Sequence, residues 1–201
     1  MKTTRVTALA AVLLALLALA HPIPVLAGPP TQTPTALFQS VSSGLSAVTI
    51  PLRLPTYLPA GKMVNARAAV TPIVLYATLE RSEPNAYSIV LGTVKGCRAT
   101  YCRFAYVTGK KRNTEDPTLS TFLAESQSTY RSLKSGSRSS EAPGMVKLAD
   151  GNQAVFTPWL CGASCSESTI TWDEGVDRYV FAVMEGSKAD LTKMANSALA
   201  Q

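Results

Sequence analysis

Residues 169–184 read TITWDEGVDRYVFAVM and decide the fold class. β-branched and aromatic residues fill both halves of this stretch, and the acidic segment Asp173–Asp177 separates them. Two such runs on either side of a short turn-forming segment are the pattern of a β-hairpin. The stretch therefore predicts two antiparallel strands and favours a sheet built from hairpins.

The residues after this hairpin predict a C-terminal helix. Ser187 stands where an N-cap is expected, and Asp190 occupies the capping-box position with a side chain one carbon shorter than the usual Glu. The apolar residues that follow recur at helical spacing: Leu191, Met194, Ala195 and Ala198. Hairpin and helix together predict an α+β domain with an antiparallel sheet, a C-terminal helix and one or two further helices.

More strands are predicted upstream. A β pattern begins at Met63, and Asp150-Gly151 is a typical hairpin turn. The predicted strands are Ile73–Glu80 and Tyr87–Val94, joined by a four- or five-residue loop at Glu83-Pro84-Asn85, then Cys97–Thr108, Met145–Leu148 and Ala154–Phe156.

Prolines and helical spacing organise the remaining segments. Pro51, Pro55 and Pro59 exclude a central strand or a helix and predict an extended segment along a sheet edge or over the core. Leu37, Phe38, Val41 and Leu45 have the spacing of a short helix. Within a Ser-rich insert at 113–143, we expect a helix that Asp116 caps, with Pro117 at its first position, and that ends near Gly136. The Ser-rich residues 135–140 predict a loop.

The N-terminus has the pattern of a signal peptide. Lys2 and Arg5 precede an apolar run from Val6 to Ala20, and Val25 and Ala27 place small or modest residues at the −3 and −1 positions of a signal-peptidase site. We expect cleavage after Ala27, with Ala20 as the alternative and an uncleaved membrane anchor as a further possibility. This gives a signal peptide at 1–27, a flexible lead-in at 28–36 and one domain at 37–201.

The charge is mild and unevenly placed. Cleavage after Ala27 removes Lys2 and Arg5 and no acidic residue, so the net charge falls from +6 to +4. Nucleic-acid-binding domains usually carry a stronger and more clustered excess, so no nucleic-acid partner is expected. Five cations flank the first cysteine pair and predict a surface for an anionic partner, with a solvated hairpin rim as the alternative: Arg98, Arg103, Lys110, Lys111 and Arg112.

Four cysteines stand in two close pairs, Cys97 with Cys102 and Cys161 with Cys165. Behind a signal peptide they indicate disulfides of a protein that is secreted or periplasmic. Four cysteines allow three pairings, and proximity favours the two local ones. A zinc site and a redox site are the alternatives. The spacings differ from those of zinc knuckles, and a redox site needs two residues between its cysteines where Cys161 and Cys165 have three.

Few catalytic groups are available. The one histidine, His21, lies in the signal peptide, so hydrolases of the Ser-His-Asp and Cys-His kinds are excluded from the cleaved chain. No nucleophile elbow, P-loop or dinucleotide-binding glycine motif is present, and no cofactor is predicted. Two carboxylate pairs stay open as acid–base candidates, Glu80 with Glu83 and Asp173 with Glu174, although turn residues of this kind are normally exposed and structural.

Aromatic residues offer a second kind of candidate surface. They could form a platform that stacks on glycans, but their strand periodicity favours packing within the sheet: Tyr57, Tyr76, Tyr87, Tyr101, Tyr106 and Trp159.

Residues 156–200 also carry a family resemblance. A Trp-bearing strand (Ile170-Thr171-Trp172), an acidic turn, a Tyr-bearing strand (Tyr179) and a helix ending Ala195-Asn196-Ser197 resemble the closing segment of uncharacterised exported cyanobacterial-type proteins. The pattern distantly resembles a bacterial extracytoplasmic domain of unknown function found in anti-sigma factors and sporulation lipoproteins. The resemblance implies an α+β domain with an antiparallel sheet and brings no catalytic residues.

These observations predict an exported, non-enzymatic envelope or extracellular protein that binds a partner, with a membrane contact only through an uncleaved signal. A carboxylate-dependent hydrolase is one alternative. A disulfide-stabilised protease inhibitor that presents Leu160–Ser166 is the other.

Overall fold

The computed structural model describes residues 32–60 and 73–200. The predicted signal peptide at 1–27 and the start of the β pattern at Met63 lie outside these residues. Within them the predicted α+β class, the antiparallel sheet, the C-terminal helix and the two disulfides are confirmed.

One antiparallel sheet of seven strands organises the described residues. Its spatial order is β1-β2-β3-β7-β6-β5-β4, so the N-terminal strands β1–β3 and the C-terminal strands β4–β7 meet where β3 pairs with β7. The strands are β1 Tyr76–Glu83, β2 Ala86–Gly92, β3 Arg103–Lys111, β4 Gly144–Lys147, β5 Gln153–Thr157, β6 Ser168–Glu174 and β7 Asp177–Val183.

Two of the predicted hairpins have tighter turns than expected. Glu83 pairs with Ala86, so Pro84 and Asn85 alone join β1 to β2 in place of a four- or five-residue loop. Glu174 pairs with Asp177 in the same way, and Gly175 takes a φ of 59° in that turn. A positive φ suits glycine, which has no Cβ to clash with the backbone. Pairing thus extends into the acidic residues that the sequence pattern assigns to a turn.

One face of the sheet carries the main core. Alternate residues of the central strands point to this face and are fully buried, among them Ile89, Val107 and Phe181. Helix α3, Lys188–Leu199, packs on β6 and β7 and buries the four apolar residues predicted for it. The predicted cap is confirmed, because Asp190 N donates to Ser187 Oγ over 3.1 Å.

The N-terminal segments close the same core. Helix α1, Pro34–Gln39, includes the last residues of the predicted lead-in, and a 3₁₀ turn follows at Ser42–Leu45. The proline segment is extended over the core, as predicted. The hydroxyl of Tyr179 donates to Pro51 O over 3.0 Å, and the guanidinium of Arg53 binds Glu174 at 2.7 Å. Side chains of the sheet therefore hold this segment in place.

Helix α2, Leu119–Ser132, packs against β4, β5 and β6. Ser126 Oγ lies 3.2 Å from Thr157 Oγ1, and Thr157 alternates with the core residue Phe156, so α2 covers the second face of the sheet. Its predicted N-cap was wrong. Thr118 caps the helix, because Asp116 instead binds the amine of Lys110 and accepts from Asn113 N. A 3₁₀ turn at Ser135–Ser137 lies in the predicted Ser-rich loop.

Candidate functional site

Both disulfide loops lie at one end of the sheet. The first loop leads directly into β3 at Arg103, and the second leads into β6 at Ser168. Val183, at the end of β7, pairs with Ala105 of β3 on one side and with Ser168 of β6 on the other. The two loops therefore flank the same strand end. We call residues 93–103 and 159–168 the disulfide end, and we call the opposite end, with the two-residue turns, the turn end.

An ion pair joins the two loops across the end of β7. Arg103 Nη1 lies 3.2 Å from Glu167 Oε1, and the two side chains are 26% and 11% exposed. Tyr106 lies beside them, and burial followed by the charge of Glu167 raises the pKa of its phenol. Because the pair is largely shielded from water, salt screens it less than it would screen a surface pair.

The first loop is anchored in the core. Cys97 and Cys102 are 2% and 4% exposed, with their Cα atoms 5.9 Å apart. Gly92 makes this approach possible, because a Cβ at that position would lie 2.3 Å from the Cβ of Cys97. The loop closes further where Thr93 N donates to Cys102 O over 2.9 Å.

Around this anchor the first loop exposes large side chains. Tyr101 is 82% exposed and Val94 is 50% exposed, and Lys95 and Arg98 are exposed beside them. Tyr and Arg are enriched in protein interfaces relative to the rest of the surface. The loop thus presents aromatic, apolar and cationic groups on a fixed backbone.

The second loop is small and exposed. Cys161 and Cys165 have Cα atoms 4.0 Å apart, and residues 162–166 are all exposed. Gly162 N donates to Ser164 O over 2.9 Å, and Ser166 N donates to Leu160 O over 2.7 Å, so the chain curls into a closed turn. Cys161 N donates to Ser137 O, which fastens the turn to the segment after α2.

The five predicted cations do not form one surface. Arg98 and Arg103 lie at the disulfide end, whereas Lys110, Lys111 and Arg112 lie at the turn end, roughly 25 Å away along β3 at about 3.3 Å per residue. Only Arg98 and Lys111 among them are both exposed and outside ion pairs in the described part of the chain.

The turn end holds its charges in pairs. Asp173 Oδ2 lies 2.9 Å from Arg112 Nη1, and its Oδ1 accepts from Arg178 Nε over 2.7 Å. This hydrogen bond raises the pKa of Arg178. The hydrogen bond from Lys110 lowers the pKa of Asp116. These contacts pair three of the cations at the turn end, Lys110, Arg112 and Arg178, with carboxylates.

The candidate carboxylate pairs do not face each other. Asp173 and Glu174 are neighbours in β6, so their side chains point to opposite faces of the sheet. Glu174 binds Arg53 and accepts from Trp172 Nε1 over 2.8 Å. Glu83 binds the exposed Arg81, and Glu80 is exposed at the irregular part of β1. Neither pair has the geometry of a general acid opposite a base.

The candidate aromatic residues also separate. Tyr87 is buried, and its hydroxyl accepts a hydrogen bond from Arg53 N. The Tyr57 hydroxyl donates to Asp190. Tyr106 and Trp159 are half-buried. Tyr76 and Tyr101 alone among the six are exposed, and both lie towards the disulfide end, since Tyr76 pairs with Gly92.

The structure shows no metal site among the residues it describes. All four cysteine sulfurs are used in disulfides, and no group of three or more His, Cys, Asp or Glu side chains there is arranged to hold an ion. None of the described helices has the length and apolar character needed to cross a bilayer.

Comparisons of the chain with protein-family models, with curated proteins and with solved structures find no match. The family resemblance of residues 156–200 stays a hypothesis.

Proposed function

We propose that this chain is an exported, non-enzymatic envelope or extracellular protein that binds an acidic partner through the disulfide end. One observation carries the proposal: Arg98 and Tyr101 are exposed on a loop whose disulfide is buried in the core. Disulfides themselves are typical of proteins outside the cytoplasm, which fits an extracytoplasmic role.

Rigidity supports this assignment. Binding orders loops and side chains, which costs free energy, so a loop that is already fixed binds more tightly with the same contacts. The Cys97–Cys102 disulfide and the Arg103–Glu167 pair fix the first loop at both its base and its flank. Tyr and Arg side chains on such a scaffold are the residue types that contribute most at interfaces.

Charge supports an acidic partner. Residues 93–112 contain no Asp or Glu, and Lys95 and Arg98 of the first loop have no ion-pair partner among the described residues. A complementary negative surface on the partner would accelerate association and fix its orientation.

The second loop fits the inhibitor hypothesis less well. A protease cleft takes an extended segment, in the manner of an added strand. Residues 161–165 instead form a closed turn. We assign this loop to the rim of the same surface.

The test compares two charge-matched pairs of substitutions. Arg98→Glu with Tyr101→Ala changes the first loop, and Lys111→Glu with Val176→Ala changes exposed residues at the turn end. The exported chain is immobilised and incubated with native envelope and medium fractions, and retained proteins are quantified by mass spectrometry. We expect a retained partner whose signal falls at least tenfold with the loop pair and is unchanged with the control pair.

Two results would contradict the proposal. One is a partner that the loop variant retains as well as the original chain does. The other is the absence of any protein retained above the level of unloaded beads.

A further inference from the structure

We propose that a groove between α1 and the start of β1 binds an aliphatic carboxylate, with Lys95 holding the carboxylate and apolar walls holding the chain. The groove has a volume of about 420 Å³. This falls within the range of roughly 300–1,000 Å³ that is usual for small-molecule sites. The groove shares Lys95 with the proposed partner surface but uses neither Arg98 nor Tyr101, so the Arg98→Glu with Tyr101→Ala variant distinguishes the two sites.

Four of the described lining residues are apolar. Leu37 of α1 and Leu75, just before β1, are 5% and 1% exposed and line its floor. Ala36 and Ala77 border it with small side chains, which leaves the space open. The Tyr76 ring, 39% exposed, forms part of the rim. A hydrocarbon chain bound in this groove would lose contact with water over part of its surface. The burial of that apolar surface would drive binding.

One charge faces the groove. Among the described residues Lys95 is the one charged side chain in the lining, and none of the ion pairs between them involves it. An ammonium group beside an apolar channel favours a ligand with one anionic head and an apolar tail. Gln32 can add a hydrogen bond from its amide to the same carboxylate.

The lining disfavours a peptide as the occupant. A peptide backbone brings a donor and an acceptor at nearly every residue, and those groups need partners when they leave water. Among the described lining residues the uncharged polar side chains are Gln32, Ser40 and Tyr76, and the Ser40 hydroxyl already donates to Leu37 O over 2.7 Å. An alkyl chain has no polar groups that need such partners.

Calorimetric titration of the exported chain tests the site with sodium octanoate, decanoate and dodecanoate, each below the concentration at which it forms micelles. We expect affinity to rise about fourfold for each added methylene until the groove is filled. Decyltrimethylammonium, which has a similar tail and the opposite charge, should bind at least tenfold more weakly than decanoate.

Three substitutions locate the binding. Lys95→Glu should weaken decanoate binding at least tenfold, and Lys95→Gln should weaken it less. Ala36→Trp should fill the groove and abolish binding. Lys111→Glu, which reverses an equally exposed lysine at the turn end, should leave decanoate binding unchanged, and so should Arg98→Glu with Tyr101→Ala.

Three results would overturn the proposal. They are decanoate binding that survives both Lys95→Glu and Ala36→Trp, equal affinity for decyltrimethylammonium, and no heat of binding for any of the three carboxylates. Binding of a peptide with an acidic C-terminus, without binding of any of the three carboxylates, would assign the groove to a different ligand class. Because Ala36 and Lys95 are both exposed, unchanged thermal unfolding will show that loss of binding is not loss of the fold.

Discussion

The two disulfide loops share one end of the sheet but differ in how deeply their disulfides are buried. Cys97 and Cys102 are almost completely buried, and Gly92 lies against them, so the first disulfide belongs to the core. Cys165 and its neighbours from Gly162 onward are exposed, so the second disulfide closes a surface turn. Similar cysteine spacings therefore have different physical roles, and burial rather than loop length separates them.

This difference explains where the large exposed side chains lie. The buried disulfide holds the base of the first loop, so Tyr101 and Arg98 extend into solvent from a fixed backbone. The second loop is fastened by its own disulfide and by hydrogen bonds around its base, and it exposes small residues instead. A core-anchored loop is the better scaffold for binding.

Of the changes proposed here, removal of each disulfide should give the largest difference in stability between the two loops. Closing loops this short contributes about 2 kcal/mol in either case. Cys97→Ala with Cys102→Ala also loses buried contacts and leaves a cavity, so we expect a total loss of about 3–4 kcal/mol. Cys161→Ala with Cys165→Ala should cost about 2 kcal/mol. Guanidinium unfolding measures both values, and equal losses would contradict the assignment of the first disulfide to the core.

A single methyl group should reproduce the contrast. Gly92→Ala places a Cβ against Cys97 and should destabilise the fold by about 2 kcal/mol. Gly162→Ala, in the second loop, meets no atom within 4 Å and should change the free energy of unfolding by less than about 0.5 kcal/mol. The same unfolding experiment measures both. A Gly92→Ala variant as stable as the original chain would show that the first loop is loosely packed.

The ion pair between the loops should have a smaller effect. A double-mutant cycle with Arg103→Met and Glu167→Gln should give a coupling energy of about 1 kcal/mol, since both side chains are largely shielded. The exposed pair of Arg81 and Glu83 at the turn end is the matched control, and its coupling should be indistinguishable from zero. Equal coupling in the two cycles would mean that the pair does not tie the loops together.

Changes to the exposed residues of the first loop should affect stability least. Arg98→Glu with Tyr101→Ala should shift the free energy of unfolding by less than about 0.5 kcal/mol, because neither side chain packs in the core. Thermal unfolding checks this directly. A larger loss would show that these residues support the fold, and it would remove the main argument for a binding role.

Local signals predicted the C-terminal half well. Ser187 and Asp190 mark the start of α3 because a cap acts within one turn, and alternation along 169–184 marks β6 and β7. Local competition explains the misplaced start of α2, where Lys110 and Asn113 engage Asp116 and leave the cap to Thr118.

The candidate surface depended on contacts that no local pattern reports. The five cations looked like one cluster because they are close in sequence, yet a strand of nine residues carries Arg103 and Lys111 to opposite ends. Glu167 reaches Arg103 only because β3 and β6 both pair with β7. The groove beside Lys95 is built from α1, β1 and the first loop, which are separate in the chain.

Photo-crosslinking tests the central claim that the disulfide end is the partner-binding surface. Benzoylphenylalanine is placed at Tyr101 in one variant and at Lys111 in another, and each variant is irradiated in fractions prepared from its native cells and their medium. If the disulfide end binds the partner, position 101 will give a defined crosslinked species and position 111 will give none. Equal yields from both positions, or a crosslink from position 111 alone, would contradict the claim.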